Sequence, residues 1–136
     1  MTHDRTQGQT GLVIVTHGQI GRSLIDVAEF ILDQSLADVR FVSFQQSEMV
    51  NTEDDEIYKA IESADQGQGV LVMTDIFGAS PCNYVTRLLA RTHVAMVSGI
   101  NLAMLIRVWN YREKPLRQLV KLATEGAIRD IREHKK

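Results

Sequence analysis

The stretch Gly11-Leu-Val-Ile-Val-Thr-His17-Gly18-Gln-Ile-Gly21 decides how the chain is read. Leu12 to Val15 form a short apolar run, rich in valine and bounded by glycine, which marks a strand buried on both faces. The run ends in Thr16-His17-Gly18, and an amphipathic pattern starts directly after it. Gly18 and Gly21 allow a tight turn and a close backbone approach there. His17 is therefore expected at the carboxyl end of the first strand, the place where open α/β sheets bind their ligands.

Working outward, Ile20, Leu24, Val27, Ala28, Ile31 and Leu32 recur at helical spacing and predict a helix over about 20–34. Asp38 to Phe44 alternates and predicts a second strand, and Asn51 to about Asp65 a second helix with acids in its first turn. Val70 to Thr74 reads as a third, buried strand. Ser80-Pro81 then supplies an N-cap and a first-turn proline for a helix running through Tyr84 and Leu89. His93 to Ser98 predicts a fourth strand, and Leu102 to Trp109 and Leu116 to Glu125 two more helices separated by Pro115. After Gly126, the segment Ala127 to Ile131 fits either a helical continuation or a short strand.

Four alternations of strand and helix imply parallel strands joined by crossover helices. The expected fold is an α/β, doubly wound open sheet of four parallel strands in the order 2-1-3-4. The expected organisation is a flexible N-terminus over 1–10 and a single domain over 11–136. In such a sheet the first and third strands are neighbours at the switch point, so His17 and Asp75 share one crevice. A carboxylate beside a histidine accepts its Nδ1 proton and leaves Nε2 free as an acceptor or nucleophile. The Ser80-Pro81 helix start adds backbone N–H groups that favour an anion. A nucleophilic histidine, an orienting carboxylate and an anion cradle together suit phosphoryl transfer through a phosphohistidine.

Composition narrows the alternatives. The chain has 136 residues, with 15 Lys+Arg against 17 Asp+Glu and a formal net charge of -2. That balance gives no electrostatic footprint for nucleic acid or an anionic membrane. No apolar stretch approaches the ~20 residues needed to span a bilayer, and the polar start lacks the apolar core of a signal peptide. One cysteine, Cys82, excludes an internal disulfide and fits a reducing, cytoplasmic setting. No Walker lysine motif or G-x-G-x-x-G pattern is present, and no cofactor is called for. Two other classes stay open: a binding module whose phosphorylation state is read by a regulatory target, and a hydrolase with a metal held by His17, Asp75 and Cys82.

Three motifs together carry a family resemblance: Thr16-His17-Gly18, then Thr74-Asp75-Ile-Phe-Gly78-Ala79-Ser80-Pro81-Cys-Asn83, then Ser98-Gly99-Ile100-Asn101-Leu-Ala-Met-Leu105. In order and spacing they resemble the IIA domain of the mannose family of the bacterial sugar phosphotransferase system, over about residues 11–131. The resemblance implies that His17 takes a phosphoryl group on Nε2 from the phosphocarrier HPr and passes it to a separate IIB protein. His17 and Asp75 would be the catalytic pair, Gly78, Ala79 and Ser80 would hold the phosphate, and Thr16, Gly18 and Asn101 would support the site. It further implies a homodimer in which a C-terminal strand, here Ala127 to Ile131, is exchanged and added antiparallel to the partner's sheet. The chain departs from the family at Ala103, where proline is common, and at Cys82.

Overall fold

A computed structural model describes residues 8–44, 56–76 and 93–135. The elements run β1 (Gly11–His17), α1 (Ile20–Leu32), β2 (Arg40–Phe44), α2 (Glu56–Ala64), β3 (Val70–Thr74), β4 (Val94–Val97), α3 (Leu102–Asn110) and α4 (Leu116–Arg129). The strands form one sheet in the order β2-β1-β3-β4, every neighbouring pair parallel. This is the expected doubly wound arrangement. The proposed starts of the second helix and of the Ser80-Pro81 helix lie outside the described residues, as do Gly78, Ala79, Ser80 and Cys82.

The unbroken apolar runs have a direct physical use. Leu12, Ile14, Leu71 and Met73 point to the face covered by α1, α3 and α4, where they meet Ile25, Ala28, Met104, Leu105, Leu119 and Ala123. Val13, Val15, Val70 and Val72 point to the opposite face and pack with Ile57, Ile61 and Ala64 of α2. A strand with both faces covered cannot alternate apolar with polar, so β1 and β3 read as continuous runs. Each fully buried aliphatic side chain contributes about 1.5–3 kcal/mol, which makes β1 and β3 the rigid centre from which the turns above them project.

Several expectations are corrected. The second strand starts at Arg40 rather than Asp38, because the Val39 N–H donates to the Leu36 carbonyl in a turn at 3.0 Å. Thr10 belongs to the folded body: it is buried, its N–H donates to the Arg112 carbonyl and its hydroxyl to that of Lys114. The assignment of Ala127 to Ile131 as a strand does not hold, since α4 continues through Gly126 to Arg129. Gly126 here is a packing glycine. A Cβ at that position would come within 2.3 Å of Arg107 Cδ, so the bare backbone makes room for the arginine stem instead of ending the helix.

Candidate functional site

The register of the sheet builds the site. Val15 lies opposite Thr74, so Asp75 leaves the end of β3 beside the last two residues of β1. On the other side His17 is level with Phe44 of β2. The chain then turns at Gly18, whose φ of +51° lies in the left-handed region that glycine adopts without penalty. Thr16 ties this turn down. Its side chain is wholly buried, and its Oγ1 accepts the Gly21 N–H at 2.9 Å, one of the donors that the first turn of α1 leaves without a helical partner.

Asp75 holds His17 twice. Its Oδ2 accepts the His17 backbone N–H at 2.9 Å and pairs with the ring Nδ1, also at 2.9 Å. The other oxygen, Oδ1, accepts the Ile76 N–H at 3.0 Å, which fixes the carboxylate plane. Burial pushes the Asp75 carboxyl up, but the His17 backbone N–H, the ring hydrogen bond and the His17 charge outweigh it and leave its pKa below the ordinary 3.8. In the neutral imidazole an ionised Asp75 requires the proton on Nδ1, so Nε2 carries the lone pair. The Phe44 ring packs edge-on against the imidazole, with centroids 6.4 Å apart and planes at 71°. The His17 side chain is 49% exposed while that of Asp75 is only 14% exposed, so the anchor is sheltered and the ring is open to an incoming molecule.

The structure thus brings together His17, Asp75, Thr16 and Gly18 from the expected set. Asn101, also in that set, makes the bonds of a helix cap. Its Oδ1 accepts the Met104 N–H at 2.8 Å as the N-cap of α3, and its Nδ2 donates to the Ala127 carbonyl at 3.3 Å. Two contributors were not singled out by sequence reasoning. Phe44 positions the ring, and only the register of β2 on β1 could have revealed it. Thr74 is wholly buried just before Asp75, and its Oγ1 has no hydrogen-bond partner among the described residues. No group of three or more His, Cys, Asp or Glu side chains able to hold a metal occurs among the described residues.

The fold and the site define a class: a doubly wound α/β domain with a histidine–carboxylate pair at the switch point of its sheet. The EIIA-man family model, described as the PTS system fructose IIA component, matches residues 11–121. The chain belongs to this family, the mannose-family IIA domains of the sugar phosphotransferase system. It is 29% identical over 117 residues to the PTS system mannose-specific EIIAB component of Escherichia coli strain K12. That match covers 84% of this chain and 36% of the relative, so the chain spans about a third of the length of the curated relatives it matches. Among solved structures, the mannose/sorbose specific IIA subunit from Enterococcus faecalis superposes with a TM-score of 0.80 at 21% identity, covering 94% of this chain and 96% of that one. The component EIIA from Streptococcus agalactiae gives 0.73 at 22% identity, covering 91% and 96%. At these identities the structures speak to the fold.

Proposed function

We propose that the chain is a phosphoryl carrier that accepts phosphate from HPr on His17 Nε2 and passes it to a IIB partner. The observation that carries this reading is the 2.9 Å contact between His17 Nδ1 and Asp75 Oδ2, with the ring half exposed. The Nε2 lone pair attacks phosphorus, a nitrogen–phosphorus bond forms, and the donor's own bond to that phosphorus breaks. The imidazole becomes cationic in the adduct, and the Asp75 carboxylate at Nδ1 offsets that charge. On transfer to the acceptor the same bond breaks and neutral, Nδ1-protonated His17 returns. His17 is the catalytic residue and Asp75 positions it. Gly78, Ala79 and Ser80, ahead of the Pro81 helix start, are proposed to hold the phosphate oxygens with backbone N–H groups and the Ser80 hydroxyl.

The protein acts in this reading as a cytoplasmic homodimer. No helix among the described residues is long and apolar enough to cross a membrane. The outer edge of β4 is unpaired among the described residues, and an open edge strand is a template for association. Sedimentation should give twice the chain mass, and a monomer at micromolar concentration would remove the dimer from the proposal.

The carrier reading is tested by mixing the protein with enzyme I, HPr and phosphoenolpyruvate. The expected result is a mass gain of one phosphate on the peptide bearing His17, lost in acid and stable in base. No gain from a competent donor, or a gain that persists in His17→Ala, overturns it.

A further inference from the structure

Away from His17, a cavity of about 470 Å³ opens between α3 and the end of α4. None of its lining residues belongs to the site described above. Arg107, Arg129 and Arg132 contribute to its wall, against a single acid, Asp130, which gives the lining a formal charge of +2. Among the described residues no ion pair holds any of the three arginines. We propose that this cavity is a binding site for a small organic phosphate, independent of the phosphoryl carrier reaction.

Basic residues in the last turn of a helix also offset its dipole, and Arg107 and Arg129 both stand there. The dipole asks only for an exposed cation, however, and Arg107 is built in more closely than that. Its stem lies across Gly126, where any side chain would collide with it. Its guanidinium sits over the Tyr111 ring at 5.6 Å from the centroid. Its Nε is buried and has no hydrogen-bond partner among the described residues. A sheltered, oriented guanidinium with one unsatisfied donor, lining the same cavity as two further arginines, calls for an anionic acceptor.

The wall chemistry narrows the class of anion. Planar guanidinium groups take phosphate oxygens two at a time, and a phosphate monoester carries close to two negative charges at neutral pH. Ile106 and Tyr111 add apolar surface that inorganic phosphate could not use. The volume falls in the range of small-molecule sites. Gly126, Arg129, Asp130 and Arg132 all lie beyond residue 121, where the family-model match ends.

Phenyl phosphate is a suitable probe, with inorganic phosphate as the control, titrated into the full chain at low salt and followed by calorimetry and amide chemical shifts. The expected result is saturable binding with shifts over 106–111 and 126–132, and tighter binding of phenyl phosphate than of inorganic phosphate. Arg107→Met keeps the stem over Gly126, and Arg132→Gln alters an exposed residue, so both should fold. Each should weaken binding about tenfold or more, the worth of a charge-assisted hydrogen bond. Three results overturn the proposal: no saturable shifts at these residues up to about 10 mM, shifts confined to 16–18 and 75–76, or affinity unchanged in both variants. Inorganic phosphate binding as tightly as phenyl phosphate would overturn the organic ligand.

Discussion

Asp75→Asn separates the charge of the carboxylate from its shape. Asp75 Oδ2 accepts two bonds from His17, whereas Oδ1 accepts one from Ile76. An asparagine that keeps its carbonyl oxygen toward His17 turns its NH2 toward Ile76 and gives up the Ile76 N–H bond, while the ring stays close to its original place. At the imidazole, what is lost is the negative charge beside a ring that becomes cationic in the proposed reaction. At about 4 Å and an effective dielectric near 20 that attraction is about 4 kcal/mol. With the His17 side chain 49% exposed, solvent screens it to roughly half, about 2 kcal/mol. The single-turnover rate of transfer from phosphorylated HPr should then fall about 30-fold. Rapid-quench measurement of phosphorylated protein reads this directly, with a thermal melt to show that the variant is folded. Imidazole nitrogen shifts provide a second readout: the wild-type ring should be protonated at Nδ1, and the variant should show a growing share of the Nε2-protonated form. A transfer rate within about threefold of wild type, in a folded variant, would refute the charge-compensation argument.

The remaining predictions concern the frame around the pair. Thr16→Val removes the acceptor of the buried Gly21 N–H and should cost about 1–3 kcal/mol, or roughly 3–10 °C of Tm, partly restored by Thr16→Ser; an unchanged melting curve would show that Gly21 has another acceptor. Asn101→Ala removes the cap of α3 and should cost about 1 kcal/mol while leaving phosphoryl transfer within about twofold; a large loss of transfer without loss of stability would return Asn101 to the site. Because the folded Asp75 carboxyl lies below 3.8, the stability it adds is present above the unfolded value and lost as pH falls through the folded one. Urea midpoints of wild type and Asp75→Asn should therefore converge as pH falls from about 5 to below about 4, and a gap that widens over that range would reverse the sign of the linkage.

The legibility of the chain followed how local each signal is. β1 and β3 were readable because both their faces are buried, and a continuous run of Val, Leu and Ile between glycines has few other uses. The meeting of His17 and Asp75 could be expected from topology alone, since both follow strands adjacent at the switch point. Gly126 misled because a glycine in a sequence looks like an interruption, and only the three-dimensional neighbour Arg107 shows why a helix would keep one. Val39 misled in the opposite direction: it is buried like a strand residue, yet its N–H is spent on a turn. Asn101 belongs to a motif shared with a family of carriers, but the bonds its side chain makes are those of a helix cap. Phe44 could not have been placed against His17 without the register of β2.

An ordinary surface ion pair exposes both partners, and a structural buried pair hides both. His17 and Asp75 do neither. Sheltering a carboxylate costs desolvation, which here is opposed by three hydrogen bonds, two of them from the same residue. That expense would be needless if His17 only closed a turn, because the Thr16 hydroxyl and Gly18 already fix the backbone there. Doubling the hold through Oδ2 has one further effect: it sets the ring orientation and tautomer together, so Nε2 is the ring nitrogen left without a proton. A histidine held at one nitrogen, edged by Phe44 and still half exposed, suits repeated bonding at the other nitrogen with little motion of the protein. This pairing of a sheltered anchor with an open ring favours a carrier over a turn residue, and it makes the rate and tautomer of Asp75→Asn the sharpest discriminator between them.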